Sequence, residues 1–217
     1  MRILKFDTDE YYHVYNRGNH RRTIFHDAID YQFFKIGLFR HNTTGKIRTF
    51  GSQDDRLVSV ISYNLLPNHF HLMLRQEVEN GISLFMYRLQ RAYSLFSNRK
   101  RARTGTLYEC PFKAKHVSTE AYFNHLPRYI HLNIGDLTPY DWRNGSVSNW
   151  KDLLKIMSDY PWSSHIDYMR QSQDLPILNL DLITELFPNP DTYEDFIRSW
   201  STSDITIARS IIVDDSF

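Results

Sequence analysis

Residues 56–74, RLVSVISYNLLPNHFHLML, decide how the chain is read. Residues 56–66 alternate and are rich in β-branched side chains, which predicts a strand. Pro67 and Asn68 form turns, and residues 69–74 resume strand character at once, so two adjacent antiparallel strands are expected. Alternate side chains of a strand share a face, which points His69 and His71 one way and Phe70, Leu72 and Leu74 the other. Two imidazoles on one face can hold a cation between them. Equally, they can be half-exposed strand residues with hydrogen-bonded rings.

Working outward, residues 10–17 (EYYHVYNR) predict a strand that runs into the basic loop RGNHRR. Residues 27–41 predict a helix capped by Asp27, with Ile29, Phe33, Ile36 and Phe39/Arg40 at helical spacing. Residues 82–100 predict a long amphipathic helix with Leu84, Leu89, Tyr93 and Phe96 on one face. Residues 106–118 read as extended, and 118–133 as a helix capped by Ser118 or Thr119 and kinked at Pro127. Strand, helix, strand, strand, helix, strand, helix describes an α+β domain, economically a ferredoxin-like antiparallel sheet with helices on one face. Residues 1–134 are expected to form this domain. Residues 135–217 are expected to be an acidic, mostly helical or irregular extension packing on it, with helical patches near 149–158, 162–170 and 191–200.

Composition narrows the function classes. The chain has 217 residues, 41% of them hydrophobic, and a single cysteine, Cys110. One cysteine excludes an internal disulfide and a multi-cysteine zinc cluster. No run of about 18 apolar residues and no apolar leader stand out, so no membrane partner and a cytoplasmic location are expected. The net charge of +1 conceals an asymmetry: residues 1–134 carry 20 Lys and Arg against 11 Asp and Glu, and residues 135–217 carry 6 against 14. A basic body with an acidic tail hints at nucleic-acid binding, with the tail limiting access.

On the helix predicted over 118–133, His125, Tyr129 and Asn133 are spaced four apart and lie along one stripe. If that stripe faces the histidine strand, Asn133 can offer a carbonyl oxygen as third ligand, and Tyr129 stands one turn away as a nucleophile. Mixed imidazole and oxygen ligation suits Mg²⁺ or Mn²⁺. A phenol with a pKa near 10 needs help to attack, and a cation that holds a phosphate oxygen supplies it, so the set points to phosphoryl transfer. Tyr129 can also be an ordinary core-facing helix residue.

LLPNHFHLML followed some 60 residues later by RYIHLN resembles the paired-histidine signature and tyrosine helix of the single-tyrosine HUH transposases, most like the REP-associated tyrosine transposases. YHVYNRGNHRRTIF with DAIDYQFF, TLYECPFKAKHV and YPWSSHIDY are similar to that family in wording and order, across residues 11–168. The resemblance implies that His69 and His71 hold a divalent cation and that Asn133 completes the site. It implies that Tyr129 attacks a phosphodiester in single-stranded or hairpin DNA, leaving a 5′-phosphotyrosine and a free 3′-OH. No nucleotide cofactor is implied, because the phosphotyrosine conserves the energy of the bond, and the chain would act as a monomer or a homodimer. Two departures stand out: Ile134 follows Asn133 where the family usually has proline, and Glu109-Cys110-Pro111 replaces a glycine-containing basic stretch.

The basic groups Arg17, Arg21, Arg22, Arg88, Arg91, Arg99, Lys100, Arg101, Arg103, Lys113 and Lys115 are then expected to contact DNA phosphates. Two other functions fit parts of the sequence. A domesticated DNA- or RNA-binding regulator would keep the fold and charge without turnover, and a zinc hydrolase would use the same histidines, though no H-E-x-x-H accompanies them.

Overall fold

Four short strands pair edge to edge and set the architecture. The computed structural model describes residues 4–49, 55–145 and 147–200. Among them β1 (Tyr11–Arg17), β2 (Val58–Leu66), β3 (His69–Gln76) and β4 (Lys113–His116) form one sheet in the order β2-β3-β1-β4, every neighbouring pair antiparallel. With α1 (Ala28–Arg40) between β1 and β2 and α2 (Gly81–Lys100) between β3 and β4, this is the ferredoxin-like α+β arrangement. Residues 45–55, GKIRTFGSQDD, are polar and turn-rich in sequence and fall partly outside the described residues.

The helix starts follow local chemistry. Asp27 caps α1, its carboxylate accepting from the backbone N–H of Ile29 and Asp30. Asp30 is fully buried, accepts from the His26 N–H, and pairs with Lys100 and Arg101 from the far end of α2, which ties the start of one helix to the end of the other. The buried face of α1 differs from the expected stripe: Ile29 is 61% exposed, whereas Phe34 and Leu38 are fully buried. The helix carries apolar residues on several sides, so spacing alone did not single out the side that meets the sheet; Phe34 packs against Phe70 of β3.

The helices also divide between the two faces of the sheet, where one face was expected. Phe70, Leu72 and Leu74 look toward α1 and α2, and α3 (Glu120–Leu132) covers the opposite face, carrying Tyr122 and Tyr129 over His13 and His71. α3 begins at Thr119, whose hydroxyl accepts from the Tyr122 N–H.

The remaining chain folds as α4 (Trp150–Asp159), α5 (His165–Arg170), α6 (Leu180–Leu186) and α7 (Pro190–Arg198). Of these, α6 lies outside the expected helical patches; it is a seven-residue helix with one buried residue, Ile183, too short to impose a period. The outer edge of β2 is covered rather than open. Leu65 N–H donates to the Trp162 carbonyl, Ser164 N–H to that of Tyr63, and Asn179 N–H to that of Val60.

A buried polar network fastens α3 to this C-terminal layer. His131 bonds the Ser164 hydroxyl at 2.7 Å and the Tyr193 hydroxyl at 2.8 Å, and His165 bonds Tyr193 at 2.7 Å. Arg128, almost wholly buried, donates to the Phe196 carbonyl and the Ser199 hydroxyl and lies over the rings of Phe196 and Trp200.

Burial holds four histidines neutral: His165 drops to about 4 and His13 to about 3, and His71 and His131 lie well below the usual value. In the unfolded chain these rings take up protons near pH 6.5, so their contribution is complete above that pH and is lost as pH falls toward the folded values. Asp167, raised to about 6 by burial, runs the other way, contributing below the unfolded carboxylate value and losing that as pH rises through 6. Four rings outweigh one carboxyl. The urea midpoint is therefore expected to fall between pH 7 and pH 5, each ring contributing about 2 kcal/mol of the loss; an unchanged or higher midpoint at pH 5 would contradict this.

Candidate active site

The β1–β3 register brings the site together. Arg17 lies opposite His69, Tyr15 opposite His71 and His13 opposite Met73, so His13, Tyr15 and Arg17 share the face of the two β3 histidines. On β2, Leu66 and Asn64 flank the same two positions. On β4, Lys115 lies opposite His13 and Lys113 opposite Tyr15. The turn before β3 is held by backbone bonds from Gly18 to Asn68 and from Ile24 and Phe25 to Pro67, which fixes where His69 begins the strand.

His69 and His71 stand with ring centroids 5.1 Å apart, nearly perpendicular. The Nδ1 of His69 is 2.6 Å from the Asn68 amide oxygen, an acceptor, so Nδ1 carries the proton and Nε2 keeps its lone pair. The Nδ1 of His71 meets Nε2 of His13 at 2.9 Å. Both β3 Nε2 atoms are buried. His71 is held neutral by burial first, with the neighbouring His69, His13 and Arg143 lowering its pKa further, and a neutral imidazole is what a metal ligand must be. The donor set therefore fits a divalent cation.

Tyr129, 8% exposed, presents its ring edge-on to these histidines, 6.0 Å from His71 and 6.1 Å from His13. The Asn64 amide donates to the Ile130 carbonyl at 2.8 Å and pins α3 to β2 beside it. Asn133, fully buried, ends the helix; its NH₂ donates to the Tyr129 carbonyl at 2.6 Å and its oxygen accepts from Arg143 at 2.9 Å. His125 departs from the stripe, bonding Arg128 instead. Tyr122 takes the corresponding place, with its hydroxyl 3.4 Å from His13 Nδ1.

Sequence reasoning missed His13, Tyr122, Asp136 and Arg143. His13 had a signal: in YYHVYNR it alternates with Tyr15 and Arg17, the same period that aligned His69 with His71. Arg143 had none, because it arrives from a 3₁₀ turn, Trp142–Asn144, in the irregular segment after α3. It pairs with Asp136 at 2.5 Å and reaches the Tyr129 hydroxyl at 3.5 Å. Burial pulls its pKa down, but the Asp136 carboxylate and the Tyr129 phenol more than offset that, and the guanidinium stays charged.

A cavity of about 420 Å³ opens beside His69, lined by Arg17, Arg21, Asn68, Asp136 and Leu137 among others. Arg17 is mostly buried and pairs with Glu109 at 3.2 Å, within the stretch that departs from the family wording. Lys113 and Lys115 lie on the histidine side of the sheet, Lys113 over the Tyr15 ring. Arg22 holds the Leu107 carbonyl. The α2 set is carried by the helix layer behind the sheet. Arg88 donates to the Thr43 and Gly45 carbonyls, and Lys100 and Arg101 pair with Asp27 and Asp30. Arg91, Arg99 and Arg103 are exposed.

Among the described residues no group of three His, Cys, Asp or Glu side chains converges as a metal site. No helix among them is long and apolar enough to cross a membrane.

The family model for IS200-like transposases matches residues 7–133, more than half of the chain and all of the elements that carry the histidines and Tyr129. A solved structure of a REP-associated tyrosine transposase bound to a REP hairpin superposes with a TM-score of 0.54 at 15% identity, covering 81% of this chain and 88% of that one. No curated protein matches the sequence. With the model spanning β1 through the end of α3, the chain belongs to the IS200-like transposase family.

Proposed function

We infer that the protein cuts and rejoins single-stranded DNA at hairpin-bearing ends, with Tyr129 as nucleophile and His69 and His71 holding Mg²⁺ or Mn²⁺. The observation that carries this reading is the edge-on approach of Tyr129, on its own α3, to the buried histidines of the adjacent sheet. The protein acts as a monomer or a homodimer in this reading. The hairpin held by the structural relative makes hairpin DNA the substrate to test.

The phenol oxygen of Tyr129 attacks phosphorus while the bond to the 3′ oxygen breaks. The phenol gives up its proton, the departing 3′ oxygen gains one, and a 5′-phosphotyrosine and a 3′-OH result. His69 and His71 would hold a divalent cation through two imidazole nitrogens, and that cation would polarise the phosphoryl group and stabilise its developing charge. Asn133 is the candidate third ligand, because an amide oxygen that accepts from Arg143 retains a second lone pair. Reversal by a second 3′-OH rejoins the strand with no outside energy source.

Arg17, Arg21, Lys113 and Lys115 surround the histidine face and are the nearest phosphate contacts. Arg22, Arg88, Arg91, Arg99, Lys100, Arg101 and Arg103 extend the basic surface around α2 for DNA leading away from the site. Residues 1–134 carry Tyr129 and the paired histidines, and the described residues after α3 pack on α3 and on the edge of β2.

Two experiments test this reading. Incubating wild-type protein with labelled single-stranded hairpin DNA and Mg²⁺ or Mn²⁺ is expected to give a covalent adduct that Tyr129→Phe abolishes without weakening DNA binding; an undiminished adduct would remove Tyr129 from this role. His13→Phe removes the group that holds Nδ1 of His71, so Mn²⁺ affinity measured by calorimetry should fall roughly 10- to 100-fold. Unchanged affinity would show that His71 needs no such support.

A further inference from the structure

We propose that Arg143, which lies beyond the segment matched by the family model, is a catalytic residue that stabilises the negative charge on the Tyr129 oxygen and the attacked phosphoryl group. This rests on the proposed role of Tyr129.

The guanidinium is held as a built group. The Trp142 indole before it is buried against Gly135, where a Cβ would come within 2.4 Å of the Trp142 ring, so only glycine leaves room. Indole Nε1 donates to Asp136 at 2.7 Å, and the Trp142 carbonyl accepts from Trp200 at 2.9 Å. Arg143 Nε donates to the same Asp136 oxygen at 2.9 Å, and Nη2 to the other at 2.5 Å. Nη2 also donates to the Asn133 amide oxygen at 2.9 Å. Asp136 therefore fixes one side of the planar fork, and Nη1 is directed at the Tyr129 hydroxyl 3.5 Å away.

That distance is long for a neutral phenol, and it is the arrangement expected of a donor aimed at where charge develops. As the phenol becomes an anion and then a phosphoester, the contact changes from weak to charge-assisted. Asp136 lines the same cavity as His69, Arg17 and Arg21, so the fork sits at the wall where a DNA phosphate enters. A purely structural Arg143–Asp136 pair would not need its remaining arm on the nucleophile.

Single-turnover adduct formation on saturating hairpin DNA with Mn²⁺ separates the alternatives. Arg143→Ala is expected to slow the step roughly 100-fold, with DNA affinity within about threefold and most of the melting temperature retained. Arg143→Lys should recover part of the rate, and added guanidinium should accelerate Arg143→Ala but not wild type. The ¹³Cζ resonance of Tyr129, assigned by its loss in Tyr129→Phe and read without DNA or cation, should move in Arg143→Ala. Wild-type rate in Arg143→Ala overturns the proposal while leaving Tyr129 in place. A loss matched by DNA affinity or stability, without guanidinium rescue, overturns it as well. Absence of a Tyr129-dependent adduct in wild type instead removes the underlying reading, and this proposal with it.

Discussion

The antiparallel register of β1 on β3 is the constraint on which the site depends. Because side chains alternate, that register decides that His13, Tyr15 and Arg17 share a face with His69 and His71. A slip of one residue would turn His13 into the α1/α2 core and bring Tyr12 or Val14 to the histidines. The slip is opposed from both sides: Val14, Phe70 and Leu72 are fully buried on the opposite face and cannot be exchanged for the polar set without burying imidazoles in an apolar layer. The aliphatic core thus specifies the geometry of polar groups it never touches.

Burial of those imidazoles carries a cost that the fold offsets by pairing them. His13 bridges His71 to Tyr122, and Asn68 takes the proton-bearing side of His69, so the rings reach the site with their orientation set. A partner on one ring nitrogen sets how the other is presented. Tyr129 is similarly constrained from two directions. Asn64 grips α3 from the sheet, while His131 and Arg128 are gripped by α5 and α7 from the other side. Tyr129 is carried on a helix clamped between the sheet and the C-terminal layer.

Much of this was legible in the sequence because it rests on local periodicity. The period of two in HFHLML placed two histidines together, the turn at Pro67-Asn68 paired β2 with β3, and four-residue spacing aligned Tyr129 with Asn133. What the sequence hid was long-range. Which strand lies beside β3 depends on pairing across more than 50 residues, so His13 remained an aromatic-rich strand residue in appearance. The division of helices between faces was hidden as well, because α1 carries apolar residues on more than one side. Arg143 was least visible of all: an irregular segment has no period, and its position follows from Trp142 packing on Gly135.

The charge asymmetry also changes meaning once the chain is folded. Counted along the sequence, residues 135–217 are an acidic tail to a basic body. At the site, however, that part contributes a cation, and the acid beside it, Asp136, serves to aim that cation. A guanidinium without a partner would swing toward any incoming phosphate and hold it wherever they first met. Held by both carboxylate oxygens and by the Asn133 amide oxygen, it keeps Nη1 toward the phenol. The negative charge of the extension at this point is better understood as restraint on a positive group than as repulsion of DNA.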